Sequence, residues 1–562
     1  MILTLSLSMG SCREAQKEGS TQNTSPAPLT LSTTTVEEVS TEPAPVRQTG
    51  YLASLRATVE YRDEAGSVLG TLVRGKSLEY EIDPDGSIRV LIDGVAVTLS
   101  EEGSIVSDPS LAVPEHELFV RSAVDLRDES GRLLDTFAPK GTPLTVTGFD
   151  RLEESGEVHM YRVSLDGKEG YVMPWYLTET KEAAEANYDN GSLATHVARK
   201  NLYGGGDAAG LDYYPRVKGA IPGNEMPAEC RALYVGARRI SEIDAYLRIA
   251  EESGINAFVV DVADGGAVGY AGEVMKRDCP SGAKAAANTV EAYRDAIQKL
   301  KSKGYYVIGR IVTFNDSYYV KDHPEYAIAG TSGTPLRLSG ELWPTAFCRA
   351  AWQYKVDLAV EAVEWMGFHE IQFDYVRFPD STARYEKAGT IDFRNTYGEN
   401  KAQAIQRFLM YATDILHEKG VYVSADVYGE SAYTYVTAYG QYWAAISGVV
   451  DVISGMPYPD HFAASGSWLP WEHPYDTLLN WGKSVMQRQG ETATPAVVRT
   501  WIQAYNAIRP PYNAYGPTEV FAQIRALRDS GCTGGYMTWN AACSLEKYAY
   551  LKPAFTPPPE EA

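Results

Sequence analysis

A chain of 562 residues exceeds one compact domain and predicts two to four, and its 44% hydrophobic content suffices for a sizeable core. The formal net charge of −22 excludes nucleic acid or an anionic surface as the principal partner, and fits a protein acting outside the cytoplasm on a neutral or cationic polymer. Tyrosine outnumbers phenylalanine, 38 to 14, and a flat apolar ring with a polar tip suits sugar binding as well as ordinary packing.

The first nine residues are mostly apolar, Gly10-Ser11-Cys12 follows, and the composition then turns abruptly polar. This start resembles the end of a bacterial lipoprotein signal, which predicts residues 1–12 as a signal remnant with Cys12 as the lipidated residue and sole membrane attachment. Nothing else in the sequence is long and apolar enough to span a bilayer. Residues 13–50 are rich in Ser, Thr, Pro and Glu and cannot bury enough surface to fold, so a disordered tether is expected.

From Tyr51 to Glu179 short alternating runs are cut by Asp-Gly, Glu-Gly and Pro signals, a β pattern. It repeats: Val59-Glu60-Tyr61-Arg62-Asp63-Glu64-Ala65-Gly66 echoes Val124-Asp125-Leu126-Arg127-Asp128-Glu129-Ser130-Gly131, with Leu69 and Thr71 matched by Leu134 and Thr136. The second copy runs on through Gly141-Thr142-Pro143-Leu144 to Lys168-Glu169-Gly170-Tyr171-Val172 and is similar to bacterial SH3-like domains. Two small all-β units are therefore expected, over 51–110 and 116–179. Cell-wall polymer is the ligand such a unit would take; a ligand-free spacer is the alternative. Residues 180–229 read as a connector, and Gly204-Gly205-Gly206 within it lacks the strand-loop-helix context of a phosphate loop.

From Cys230 to about residue 555, apolar runs alternate with amphipathic helices, the pattern of βα units. Strands are predicted over Ala232–Gly236, Ala257–Val262, Tyr306–Val312, Glu370–Phe378, Val421–Tyr428, Asp451–Tyr458, Ala496–Gln503 and Gly534–Asn540. Helices are predicted over Ile240–Glu252, Val290–Lys303, Arg349–Met366 and Thr518–Ser530, among others. Eight such pairs in about 320 residues fit a (β/α)8 TIM barrel; an open doubly wound sheet is the rival, but no dinucleotide turn follows the first strand. The α/β class is thus set, with all-β units ahead of it.

A TIM barrel places its chemistry at the C-terminal strand ends. There lie Asp261, Asp264, Arg310, Gln372, Asp374, Arg377, Asp426, Tyr428, Tyr458, Trp501, Gln503, Trp539 and Asn540. Alternation puts Gln372, Asp374 and Val376 on one face of the fourth strand, with Phe373 and Tyr375 on the other; Ser424, Asp426 and Tyr428 share a face of the fifth. Asp374 and Asp426 would stand at similar heights on strands about 4.8 Å apart, close enough for a pair of glycosidase carboxylates. The competing reading is a structural aspartate paired with Arg310 or Arg377. Trp501, Trp539, Tyr375, Tyr428 and Tyr458 would stack on sugars or merely close the core.

Glu370-Ile371-Gln372-Phe373-Asp374-Tyr375-Val376-Arg377-Phe378-Pro379 resembles the hallmark of a bacterial glycoside hydrolase family with a TIM-barrel domain, distantly related to α-amylase-type barrels. Gly309-Arg310-Ile311-Val312, Ser424-Ala425-Asp426-Val427-Tyr428-Gly429, Pro457-Tyr458-Pro459-Asp460 and Trp501-Ile502-Gln503 extend the resemblance over the barrel. It implies hydrolysis of a polysaccharide without a cofactor, with Asp374 as nucleophile. The family's usual acid/base is a strand-five Glu, so here the partner is open between Asp426 and Glu430. Two positions depart from the pattern: Ala263-Asp264-Gly265-Gly266 replaces a charged run, and Gly455 stands where Pro is common.

Two other readings compete. One is a non-catalytic carbohydrate-binding or envelope scaffold. The other is metal-dependent hydrolysis through Asp261, Asp264, Asp374 and Asp426, against which stand sparse strand-end histidines (His461 alone is near) and the lack of zinc-spaced cysteines. Cys532 and Cys543 flank the predicted last strand, leaving a bridge open, while buried free thiols are expected for the barrel cysteines.

Overall fold

The computed structural model describes residues 46–83, 86–199 and 201–556. The expected signal remnant with Cys12 and most of the expected tether lie outside them. The first strand runs Val46–Ser54, so the boundary expected at residue 50 falls inside it.

Two seven-stranded antiparallel sheets come first. In sheet order the first is Val68–Val73, Thr58–Arg62, Val95–Leu99, Ile88–Ile92, Ser77–Ile82, Val46–Ser54 and Gly103–Val106. The second is Leu133–Ala138, Val124–Arg127, Lys168–Val172, Tyr161–Leu165, Pro143–Phe149, His116–Val120 and Leu177–Thr178. Numbered within each unit, both orders are 3-2-6-5-4-1-7. The repeat seen in the sequence is thus a repeat of topology. Each unit closes on its own apolar cluster, Leu52, Val59 and Leu72 in the first and Val120, Leu126 and Leu144 in the second.

The remainder is α/β. Strands β1 (Cys230–Val235), β2 (Ala257–Asp264), β3 (Tyr306–Val312), β4 (Glu370–Asp374), β5 (Tyr422–Tyr428), β6 (Val452–Met456), β7 (Val497–Val498), β8 (Thr500–Gln503) and β9 (Gly535–Trp539) form one parallel sheet in the order β7-β6-β5-β4-β3-β2-β1-β9-β8. Its end segments, β7 and β8, are separated only by Arg499, so the sheet is nearly closed and barrel-like. Between the strands run α1 (Ile243–Glu251), α2 (Val290–Ser302), α3 (Arg349–Met366), α4 (Lys401–Glu418), α5 (Trp443–Ser447), α6 (Pro474–Gln489) and α7 (Pro517–Ser530), and α8 (Leu545–Phe555) follows β9. Gly367 and Gly531, with positive φ, end α3 and α7 as left-handed caps.

Strands buried on both faces need near-continuous apolar runs, as in Ala257-Phe258-Val259-Val260. Two charged residues inside the sheet pair with each other: Arg499 donates through Nη1 to both oxygens of Glu370 at 2.8 and 2.9 Å, and both side chains are fully buried. Five cysteines are described, all free, so Cys532 and Cys543 are not bridged. No helix among the described residues is long and apolar enough to cross a membrane.

Candidate active site

A cleft of about 680 Å³ opens at the C-terminal ends of the parallel strands. Its floor begins with β4. That strand was expected to continue to Phe378 but stops at Asp374, because Tyr375 takes a left-handed backbone conformation (φ 49°). A non-glycine residue there carries local strain, which concentrates at functional sites. The turn has two effects. The Tyr375 amide donates to Asp374 Oδ1 at 2.6 Å, and the Tyr375 ring, expected on the face opposite Asp374, swings into the same cleft.

Asp374 Oδ2 accepts from Arg310 Nε (3.1 Å) and Nη2 (2.5 Å). Arg310, fully buried, also donates from Nη1 to Asp261 Oδ1 at 2.7 Å, and Asp261 Oδ2 takes the Tyr234 hydroxyl at 2.5 Å. One guanidinium therefore serves two carboxylates. Burial pushes Asp261 up to about 6, an effect that Arg310 only partly offsets.

The β4–β5 register pairs Gln372 with Ser424 and Phe373 with Ala425, which puts Asp426 beside Asp374. Asp426 is nevertheless completely buried and forms no part of the cleft wall. Its Oδ1 accepts from the Trp501 indole at 2.8 Å, and its Oδ2 has no partner among the described residues. Burial, and then the charge of Asp374, push its pKa well above the usual carboxylate range. Glu430 is placed differently. It follows β5 on a short turn, lines the cleft, and accepts from the hydroxyls of Tyr435 (3.0 Å) and Tyr439 (2.8 Å).

Arg377 forms another wall. Its guanidinium lies 4.3 Å from the Tyr428 ring centre and 5.0 Å from that of Tyr375, and it donates to the Tyr428 hydroxyl at 2.5 Å. Among the described residues no group of three or more His, Cys, Asp or Glu side chains is arranged to hold a metal ion.

A family model described as "putative glycosyl hydrolase domain" matches residues 232–545, more than half of the chain. The chain belongs to this glycosyl hydrolase family. Among solved structures it is similar to a hypothetical protein from Ruminiclostridium thermocellum (32% identity over 35% of this chain and 97% of that one, TM-score 0.29). The PgaB (BpsB) glycoside hydrolase domain from Bordetella bronchiseptica matches at 15% identity, over 59% and 99%, with TM-score 0.42. The spore cortex-lytic enzyme SleL from Bacillus megaterium matches at 9% identity, over 59% and 75%, with TM-score 0.35. No curated protein matches the chain.

The cleft of this glycosyl hydrolase domain gathers Asp264, Arg310, Asp374, Tyr375, Arg377, Tyr428, Glu430, Tyr458, Trp501 and Trp539 from the residues that the sequence singles out. Others of that set lie off it. Asp261 sits behind Arg310, and Gln372 points into the sheet interior, with Nε2 3.4 Å from Ser454 Oγ. Gln503 is used by the Asp460 amide (3.3 Å) and the Tyr505 carbonyl (3.2 Å). Asn540 is buried outside the cleft wall. Their strand-end positions are as expected, but strand alternation gives direction without depth. Sequence reasoning overlooked Tyr234, Asp380, Tyr433, Tyr435 and Phe462, which also line the cleft, as does His461, noted there only as a metal candidate. The tyrosine-dense run from Tyr433 to Tyr442 was the available signal for two of them.

Proposed function

We propose that this protein hydrolyses glycosidic bonds of an extracellular or cell-envelope polysaccharide in a (β/α)8 barrel, with Asp374 as nucleophile and Glu430 as proton donor. The observation that carries this reading is that both carboxylates face one aromatic-walled cleft of about 680 Å³, while Asp426 does not. Two carboxyl groups flanking the scissile bond are what glycoside hydrolysis requires. Asp374 accepts three N–H bonds, which an ionised, acceptor-only carboxylate can do, and they hold it fixed for attack at the anomeric carbon. For the first step Glu430 carries a proton, so one of its two tyrosine hydroxyls turns to accept from it; that proton passes to the leaving oxygen, and Glu430 takes one from water in the second step. The half-buried rings of Tyr375, Tyr428 and Trp539 offer apolar faces to sugar rings.

The same reading places the enzyme outside the cytoplasm, tethered through a lipid on Cys12, with the two β units as SH3-like modules. Gly10-Ser11-Cys12 and the shared strand order support it. Loss of radiolabelled palmitate incorporation in Cys12→Ala would test the anchor.

Catalysis is tested by screening the purified protein on bacterial exopolysaccharides and wall glycans beside Asp374→Asn, Glu430→Gln and Asp426→Asn. Glu430→Gln should lose roughly 10²–10⁴-fold in rate, Asp374→Asn at least as much, and Asp426→Asn far less. Wild-type cleavage matched by Asp374→Asn would overturn the mechanism. Sugar binding without any cleavage would instead identify a carbohydrate-binding scaffold, in which the Arg310–Asp374 pair only stabilises the fold.

A further inference from the structure

The glycine triplet of the connector has a steric purpose. A Cβ on Gly205 would lie 1.7 Å from the Thr437 carbonyl oxygen, and one on Gly206 would lie 2.4 Å from Asn400 Oδ1. Gly204 and Gly206 also hold positive φ (76° and 136°). The Gly205 carbonyl accepts from the Ala402 amide at 2.9 Å, at the start of α4. Only a chain without side chains passes this close, so the triplet clamps the connector onto the loop that follows β5.

This clamp presents Tyr203 at the rim of the cleft. Its ring packs edge-on against Tyr435, with centroids 4.8 Å apart, and Tyr435 in turn lies 6.0 Å from Tyr433. Tyr435 is the residue whose hydroxyl bonds Glu430. Two further tyrosines, Tyr203 and Tyr433, therefore flank the ring that bonds the proposed proton donor. Tyr203 is 53% exposed, Tyr433 42% and the neighbouring Leu202 59%. Scattered exposed apolar residues need no explanation; a contiguous patch that continues a cleft marks a binding surface. The occupant must suit aromatic faces and hydroxyls beside Asp374, Asp380 and Glu430, which exclude a polyanion. A sugar chain leaving the cleft meets these requirements, with its C–H faces on the rings.

Resting on the hydrolase reading, we infer that Tyr203 and Tyr433 form a distal sugar-binding subsite, contributed in part by the connector, so that the enzyme grips a neutral or cationic polysaccharide along several units. Affinity electrophoresis of the full protein in gels containing hydroxyethyl cellulose, glycol chitosan or alginate tests it. Wild type and Asp374→Asn should be retarded alike by at least one of the first two polymers. Tyr203→Ala should weaken that retardation roughly tenfold, which corresponds to about 1.4 kcal/mol, while Tyr203→Phe stays within about threefold. An unchanged thermal midpoint confirms that the Tyr203 variants fold. The inference is overturned if Tyr203→Ala binds as wild type, if no polymer retards wild type, or if only alginate does. Tyr203-dependent retardation without cleavage of any polymer would retain the subsite and remove the hydrolase reading.

Discussion

Asp426 illustrates how a buried acid beside a second carboxylate shapes stability. With Oδ2 unpartnered among the described residues and Asp374 beside it, its proton is held more tightly in the folded than in the unfolded chain. The sign follows from linkage. Where the folded state binds more protons, stability falls as pH rises from the unfolded carboxylate value near 4 toward the folded one. Asp261, pushed up to about 6, acts in the same direction between about pH 4 and 6. Asp426→Asn substitutes a permanently neutral group of the same shape. The stability advantage of this variant over wild type should therefore grow with pH, by at most about 1.4 kcal/mol per pH unit. Thermal midpoints of both proteins at pH 5 and pH 8 measure it, and an advantage that stays flat between those values would mean that Asp426 is already ionised in place. Hydrophobic alternation had put Asp426 on the correct face of its strand, but burial depth, which separates it from Glu430, is a property of the loops that cover it.

At the scale of elements, the βα units were legible because each strand is an apolar run followed by a helix of the right period. Arg349–Met366 begins and ends where its pattern does, with Gly367 as its stop signal. The end of β4 was not legible. Val376 and Phe378 are as buried as strand residues, so the alternation continues past Asp374, and tyrosine gives no warning of positive φ. Gly455 on β6, which departs from the family pattern, has a packing explanation. A Cβ there would lie 2.3 Å from Cζ2 of Trp481, whose indole is fixed by a 2.9 Å bond to the Gly429 carbonyl and an edge-on contact with Trp443. Proline would meet the same ring. Overpacking of this kind costs typically 1–3 kcal/mol, so Gly455→Ala should lose about that much in urea unfolding at an unchanged m-value. A loss below about 0.5 kcal/mol would show that Trp481 yields readily.

Across the whole molecule, buried arginines join the parts. Arg74 of the first β unit donates to the Gly156 carbonyl of the second through Nε (3.0 Å) and Nη2 (2.8 Å). Arg349 of α3 reaches Asp125 of the second unit at 2.9 Å and Glu399 at 2.6 Å. Asp414 of α4 accepts from Arg127 (2.5 Å) and Tyr176 (2.8 Å) of the second unit and from Arg216 of the connector. The sequence repeat, which contains Asp125 and Arg127, marks two β units but carries no signal of the partners that these charges meet on α3 and α4. Burial opposes ionisation of Asp414, yet Arg216 and Arg127 outweigh it and hold its pKa below the usual range. The contribution of this group is therefore present above the unfolded value near 4 and is lost as pH falls below it. Asp414→Ala leaves Arg127 and Arg216 buried without their shared carboxylate, and breaking a buried pair in this way costs about 3–5 kcal/mol. Because the lost contacts join the second β unit to the barrel-like domain, the cost should fall on both together. Calorimetry of wild type should show them melting in one transition, and Asp414→Ala should lower that transition or split it into two. Two transitions already in wild type, with neither moved by the substitution, would mean that the second unit is held only loosely and that the buried arginines do not couple it to the catalytic domain.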